Sequence, residues 1–259
     1  MAVVLTLPSN SSKHLYPRNR TSSYKVQFPK RLEFTDGKYE VGLTAFHYPR
    51  TWYNLATGGR YRVRFFINEV EDFTAELKKG YYDTESRLCD ALTDLCIGNS
   101  STSHVRFSYN PVTEKATIAL GHENGPRGVT TMVMSSDLAI KLGWPPRRAT
   151  LSGMPGESFE SPGVMRLHEL DAIFINCDLA GDHHVVGDSM VPLLKVVTVD
   201  GVHGSSVTFE PKTVDWLPLR KNTFDTAEVM ITDSRGNPVP FERGIASVQV
   251  HIRRVNPFS

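Results

Sequence analysis

The sequence predicts an all-β protein in which antiparallel strands form a sandwich. About ten short segments alternate apolar and polar residues between turn residues, and only one segment shows convincing helical spacing. Successive strands also lack the intervening helices of a doubly wound α/β fold. For a chain of 259 residues, the best fit is a single jelly roll with an inserted helix and long loops.

Length and composition are compatible with one large β domain or two small ones, and we favour one packed and nearly neutral domain. Hydrophobic residues make up 40% of the chain and the formal net charge is +1, so neither disorder nor a strongly basic nucleic-acid surface is expected. No apolar stretch approaches the length of a membrane span, and the run AVVLTL lacks the basic leader of a signal peptide. We predict one domain over 1–259, synthesis in the cytoplasm, no direct membrane contact and no nucleic-acid partner.

The centre of the chain contains two buried strands. DAIFINCD (171–178) alternates β-branched and aromatic residues with smaller ones, and VPLLKVVTV (191–199) is nearly continuously apolar. The intervening LAGDHHVVGDSM contains two Gly-Asp pairs, which are typical of a loop.

The first half of the chain divides into strands and one helix. Residues 1–7 could be a short strand or an arm, and we assign 1–21 as an N-terminal arm. SSYKVQFP, YEVGLTAFHY and RYRVRFFINEV alternate as half-buried strands. The helix is predicted to begin near Asp83 or Thr84 and to end at Gly98, because Leu88, Leu92 and Leu95 follow at helical spacing.

The remaining segments are predicted from turns and alternation. SHVRFSYN and EKATIAL form a hairpin, VTTMVMS a strand, and SSDLAIKLGW one or two helical turns capped by Ser136 and closed by Gly143. Four prolines and several glycines predict a surface loop over 145–163. FDTAEVMITD and IASVQVHIRRV are predicted to form a closing hairpin.

No catalytic or metal-binding constellation stands out. Asp182, His183 and His184 are possible metal ligands, but without further ligand clusters we favour a solvated loop. The remaining candidates are more easily explained as packed or surface residues than as catalytic ones; they are His47, the pair His168 and Glu169, and the cysteines Cys89, Cys96 and Cys177. We predict no enzyme activity, no cofactor and no metal.

Arginine and aromatic clusters are the candidate contact surfaces. The stripe Arg60, Arg62 and Arg64 could be a solvated strand face, a subunit interface or a nucleic-acid contact, as could the pairs Arg147–Arg148 and Arg253–Arg254. The Trp52–Tyr53 corner could be packed or could anchor an interface. The subunit-interface candidates are Arg60, Arg62, Arg64, Trp52, Tyr53, Arg147 and Arg148.

Three segments resemble one protein family. LPSNSSKHLYPRNRTSSYKVQFPKRLEFTDGKYEVGLTAFHYPRTWYNL, VVGDSMVPLLKVV and NTFDTAEVMITDSRGNPVPFERGIASVQVHIRR are similar, in this order, to motifs of the minor capsid (penton) proteins of Polinton or Maverick elements and adintoviruses. The chain departs from the pattern at Tyr39, where tryptophan is common, at Lys195, where arginine is common, and in the Asp-His-His loop.

The resemblance implies a structural role in the virion. Such proteins are jelly rolls that form pentamers at the vertices of an icosahedral capsid, beside a double jelly-roll major capsid protein, and they are related to the adenovirus penton base and the virophage minor capsid protein. On this basis the arm would tie the ring to the shell, and deleting Met1 to Ser12 would leave the fold intact. The alternative is a carbohydrate- or receptor-binding jelly roll.

Overall fold

The computed structural model describes residues 2–56, 58–67, 69–99, 102–120, 130–154, 156–168 and 170–255. Its helices are α1 (Glu85–Ile97), α2 (Ser136–Lys141) and a short 3-10 turn, Pro146–Arg148. The strands in chain order are β1 (Val3–Pro8), β2 (Ser23–Glu33), β3 (Tyr39–Pro49), β4 (Arg62–Ile67), β5 (Val70–Glu76), β6 (Val105–Asn110), β7 (Lys115–Leu120), β8 (Thr131–Met134), β9 (Thr150–Ser152), β10 (Ser158–Glu160), β11 (Ala172–Cys177), β12 (His184–Val186), β13 (Ser189–Val191), β14 (Leu193–Thr198), β15 (Ser206–Phe209), β16 (Leu217–Pro218), β17 (Thr223–Thr232) and β18 (Ser247–Arg254).

The chain divides into two compact units. The first unit comprises Met1–Trp52 and Leu170–Ser259, and the second is the continuous segment Tyr53–Glu169. Each unit has its own cluster of buried apolar residues, and the two clusters share no residue. We predicted a single domain over 1–259. That remains a prediction, because two compact units can still unfold together as one domain.

The first unit is a jelly roll. One sheet has the order β1-β18-β3-β15, with β16 also paired to β3, and the other has the order β14-β11-β17-β2. All these pairs are antiparallel. If the eight principal strands are numbered along the chain, the sheets read 1-8-3-6 and 5-4-7-2, which is the double Greek key of a jelly roll. This confirms the predicted fold class.

Alternating apolar residues build the core of the jelly roll. In β18, Val248, Val250 and Ile252 are fully buried while the intervening side chains face outward. In β17, Val229 and Ile231 are buried in the same cluster. The strands predicted at 171–178 and 191–199 are confirmed as the antiparallel pair β11 and β14. The loop between them carries the small hairpin β12–β13.

The predicted closing hairpin is wrong. β17 pairs with β2 and β11, whereas β18 pairs with β1 and β3 in the other sheet. The connection crosses between sheets after a turn in which the Asp233 carboxylate accepts hydrogen bonds from the N–H groups of Arg235 and Asn237, each at 2.8 Å. Alternation shows that both strands have a buried face, but it does not show which strand lies beside each.

The predicted arm over 1–21 is also corrected. Residues 3–8 are strand β1, which pairs with β18, and Leu7 is fully buried. The following residues fold back along β2, where the Asn19 side chain donates to the Lys25 carbonyl at 2.8 Å and accepts from its N–H at 3.0 Å. The Ser12 hydroxyl accepts from the Gln27 N–H at 2.9 Å. The N-terminal segment is therefore integrated into the unit.

The second unit combines two small sheets with α1. The sheets have the orders β5-β4-β8-β9 and β10-β7-β6, and α1 packs against β6. The predicted helix is confirmed: the Thr84 hydroxyl caps it by accepting from the Arg87 N–H at 3.2 Å, and Gly98 closes it. The predicted β6–β7 hairpin is also confirmed.

Two predictions in the second unit need correction. α2 begins after Ser135 rather than after Ser136, and the Ser135 hydroxyl accepts from the Arg62 N–H and donates to the Arg60 carbonyl instead of capping the helix. The segment 145–163 is not a plain surface loop, because it contains β9 and β10, which pair with β8 and β7. Leu151 and Ser161 within it are buried.

Candidate interaction surfaces

The arginine stripe lies on the outer face of the β4 sheet. Arg62 and Arg64 alternate with the buried Val63, and each is about half exposed. An Nη atom of Arg62 lies 3.0 Å from Glu76, and one of Arg64 lies 3.8 Å from Glu71. Both glutamates belong to the neighbouring strand β5, so the positive charge of the stripe is largely balanced within the sheet.

Arg60, Arg147 and Arg148 were predicted together with the stripe. Among the described residues, no side-chain contact links them to Arg62 or Arg64. Arg60 is exposed before β4, and its N–H donates to the Asp137 carboxylate at 2.8 Å. Arg147 is exposed in the 3-10 turn Pro146–Arg148, and the backbone of Arg148 ends this turn. The sequence predicted these positions as interface candidates, and their role remains a prediction.

The aromatic corner separates into two environments. Trp52 is only 8% exposed and packs in the jelly-roll core, with its ring 6.3 Å from Tyr48 and 5.8 Å from Phe241. Tyr53 is half-buried and belongs to the second unit. Of the two alternatives, a packed corner or an interface anchor, Trp52 is the packed one, because its ring is enclosed by its own unit.

The Asp-His-His loop forms no cluster of metal ligands in the structure. Asp182 lies 3.4 Å from Arg220, His183 is exposed, and His184 begins β12. Among the residues that the structure describes, no group of three or more His, Cys, Asp or Glu side chains could hold a metal. An ion pair with arginine also reduces the capacity of a carboxylate to bind a cation.

The other chemically notable side chains occupy structural positions. Nδ1 of His47 is 2.8 Å from the Thr208 hydroxyl on the exposed sheet face, and the His168 ring lies 5.8 Å from Tyr81. Glu169 lies outside the described residues. Burial raises the pKa values of three cysteine thiols to about 12, which suppresses the reactive thiolate; they are Cys89, Cys96 and Cys177.

A cation–aromatic cluster on the outer face of the β18–β3 pair was not recognised in the sequence as a cluster. The Arg253 guanidinium lies 3.7 Å from the centre of the Trp216 ring and donates to the Glu40 carboxylate at 3.2 Å. The His251 ring meets Trp216 edge-on at 5.5 Å. Arg254 pairs with Asp36 at 3.6 Å. These contacts tie both C-terminal arginines to their own unit.

A second cationic cluster, formed at one end of the jelly roll by Arg50, His203 and Arg243, was also missed. Arg50 follows β3, its carbonyl accepts from the Gly204 N–H at 2.7 Å, and its guanidinium donates to the Gly201 carbonyl. Burial, followed by the charges of Arg243 and Arg50, lowers the pKa of His203 below its ordinary value. These residues are far apart in sequence, so no local pattern could have grouped them.

The geometry defines a jelly-roll protein with a second compact unit inserted between the third and fourth principal strands, β3 and β11. No helix among the described residues is both long and apolar enough to cross a bilayer.

Comparison with known proteins shows that this fold is similar to that of a viral protein. The structure is similar to the crystal structure of the mavirus penton protein, with a TM-score of 0.50 and 13% sequence identity over 98% of this chain and 100% of that chain. A chain from a cryo-EM structure of the Sputnik virophage aligns with a TM-score of 0.41 and 10% identity over 98% of both chains. No protein-family model matches the sequence, and no curated protein matches it. At 13% identity, the likeness to the mavirus protein establishes the fold.

Proposed function

We propose that this protein is a structural capsid protein, and more narrowly a penton subunit that forms pentamers at the vertices of an icosahedral capsid. The observation that carries the proposal is the extent of the likeness to the mavirus penton protein, which spans 98% of this chain and 100% of that one. The alignment therefore includes the inserted unit as well as the jelly roll, which many proteins of unrelated function share.

A closed ring suits a jelly roll of this kind. In a ring of identical subunits, one heterologous contact repeats around the axis, so each copy offers two different surfaces to its neighbours. We propose that the exposed arginines Arg60, Arg62, Arg64 and Arg147, together with Tyr53 and Arg148, contribute to these surfaces. A double jelly-roll major capsid protein would surround the ring in the virion.

The mass of the purified protein tests this proposal. We expect native mass spectrometry to show an assembly of five copies of the 29.0 kDa chain, formed either by the protein alone or with the major capsid protein present. Arg147→Glu should reduce the pentamer fraction, whereas the same reversal at Arg235, exposed in the turn after β17, should not. A chain that stays monomeric in both settings, or that gains stability on binding a sugar, would favour a receptor- or carbohydrate-binding module instead.

A further inference from the structure

Strand β1 has one bonded edge and one open edge. The N–H of Ser9 donates to the Ala246 carbonyl at 2.8 Å in the same register that pairs Leu7 with Val248. Because bonding directions alternate along an antiparallel strand, the odd residues of β1 bond to β18 and the even residues face the other way. The N–H and C=O groups of Val4 and Thr6 therefore point outward, and no described residue bonds to them on that side.

The adjacent edge of the other sheet is partly covered by side chains. In β2, the Asn19 side chain bonds both the N–H and the C=O of Lys25, and the Ser12 hydroxyl accepts from the N–H of Gln27. The carbonyl of Pro8, which ends β1, accepts from the Ser11 N–H at 3.0 Å. The protection supplied by residues 9–19 therefore reaches β2 and the end of β1 but stops short of Val4 and Thr6.

The sequence of β1 also lacks the usual defences of an edge strand. Natural edges are commonly short, charged, bulged or interrupted by proline. Strand β14 carries Lys195 and follows Pro192, β2 contains Pro29, Lys30 and Arg31, and β15 spans only four residues. In contrast, β1 reads VVLTLP, with no charge and with proline only at its last position.

We propose that the open edge of β1 pairs with the β1 edge of a second copy of this chain. In an antiparallel strand pair centred on Leu5, Val4 of each copy lies opposite Thr6 of the other. The two Val4–Thr6 contacts then use the outward N–H and C=O groups of both residues in each copy. The inward-facing Val3 of one copy would also lie opposite Leu7 of the other copy, which extends the apolar layer. Because the strand is uncharged, self-pairing brings no like charges together.

The side-chain environment agrees with this occupant. Val4 is 55% exposed on the outer sheet face, and Val3 and Leu5 are only partly buried against the core. A second β1 strand would cover part of each of these side chains. The contact is isologous, so it is independent of the heterologous contact that closes a ring.

The test uses the untagged full-length chain at increasing concentration. We expect sedimentation to show that two copies associate as the concentration rises. Hydrogen exchange should show that the Val4 and Thr6 amides become protected at the same time. Thr6→Pro should weaken the pairing at least about tenfold, since it removes an outward N–H and blocks the edge without removing a bond to β18. Val4→Lys, at an exposed side chain, should also prevent pairing without disturbing the core.

Two variants serve as matched controls. Val4→Thr keeps a β-branched side chain and the backbone N–H, so pairing should persist. Val196→Lys places the same new charge on an exposed position of β14, and it too should leave pairing unchanged. Val4 and Thr6 amides that stay unprotected at every concentration would overturn the proposal, and so would protection of the Val4 amide in the Thr6→Pro variant that matches the protection in the original protein. If rings form, the β1 variants should abolish contact between rings while each ring persists.

Discussion

At the scale of single residues, neighbours decide what each chemically suggestive side chain can do. Arg62 and Arg64 form a positive stripe in the sequence, but the facing glutamates Glu76 and Glu71 balance much of that charge. Exposed pairs of this kind contribute about 0–1 kcal/mol to stability. These ion pairs therefore contribute little to holding the sheet together.

His203 gives the jelly roll a pH dependence. Its pKa in the folded state is below the ordinary value of 6.5, mainly because of burial and then because of Arg243 and Arg50. Between the folded and unfolded pKa values the unfolded chain binds more protons, so stability rises with pH. The contribution of His203 is thus complete above about pH 6.5 and is lost as the pH falls toward the folded pKa.

We expect His203→Gln to flatten this dependence. Denaturant unfolding of the original protein at several pH values between 5 and 8 should show stability falling below about pH 6.5, and the variant should show a smaller fall. His168→Gln, which changes an exposed histidine in the second unit, serves as the control. Equal slopes for the original protein and His203→Gln would contradict the assigned role.

Residue types alone could predict candidates but not clusters. The arginine stripe could be predicted because Arg60, Arg62 and Arg64 recur at a spacing of two, although β4 begins only at Arg62 and Arg60 precedes it. In contrast, the contact of Arg253 with Trp216 depends on which strands are neighbours. The sequence could not reveal such a contact before the topology was known.

At the scale of elements, local periodicity predicted the strands and helix well but could not predict all partners. α1 was predictable at both ends because Thr84 and Gly98 are cap residues. β17 and β18 were each recognisable, yet they lie in different sheets. The alternating pattern shows which face of each strand is buried, but it does not show which strands lie side by side.

Strand β1 should contribute strongly to stability. Leu7 is fully buried, and Tyr24 donates a hydrogen bond to its carbonyl at 2.8 Å. We expect Leu7→Ala to lower the free energy of unfolding by about 2–5 kcal/mol, because it leaves a cavity in the core. Val4→Ala in the same strand should change it by no more than about 0.5 kcal/mol, since that side chain is largely exposed.

Chemical denaturation of the two variants measures this difference. By the same reasoning, deletion of residues 1–12 should destabilise the jelly roll, contrary to the expectation for a detached arm. Equal stability of Leu7→Ala and Val4→Ala would show that β1 contributes little to the folded unit.

At the scale of the whole molecule, the described residues form two clusters of buried apolar side chains, one in each unit. Composition reports how much apolar surface can be buried, but not into how many clusters it divides. The second core forms from the continuous segment 53–169, whereas the first combines residues from both ends of the chain.

We expect the two units to respond separately to core substitutions. Leu43→Ala in β3 and Leu92→Ala in α1 remove the same atoms from the first and second cores, where the side chains are 1% and 2% exposed. Each substitution should cost about 2–5 kcal/mol, and hydrogen exchange should show lost protection mainly within the unit that was changed. Equal loss in both units after either substitution would instead support one cooperative domain over 1–259.

The pairing of β1 with β18 joins the first strand of the jelly roll to its last. During synthesis, the edge of β1 that pairs with β18 therefore stays unpaired until residues 247–254 have left the ribosome. The inserted unit is continuous and can fold while the early strands are still unpaired. Jelly-roll closure consequently has a high contact order, and it is the step most exposed to delay and to capture by other chains.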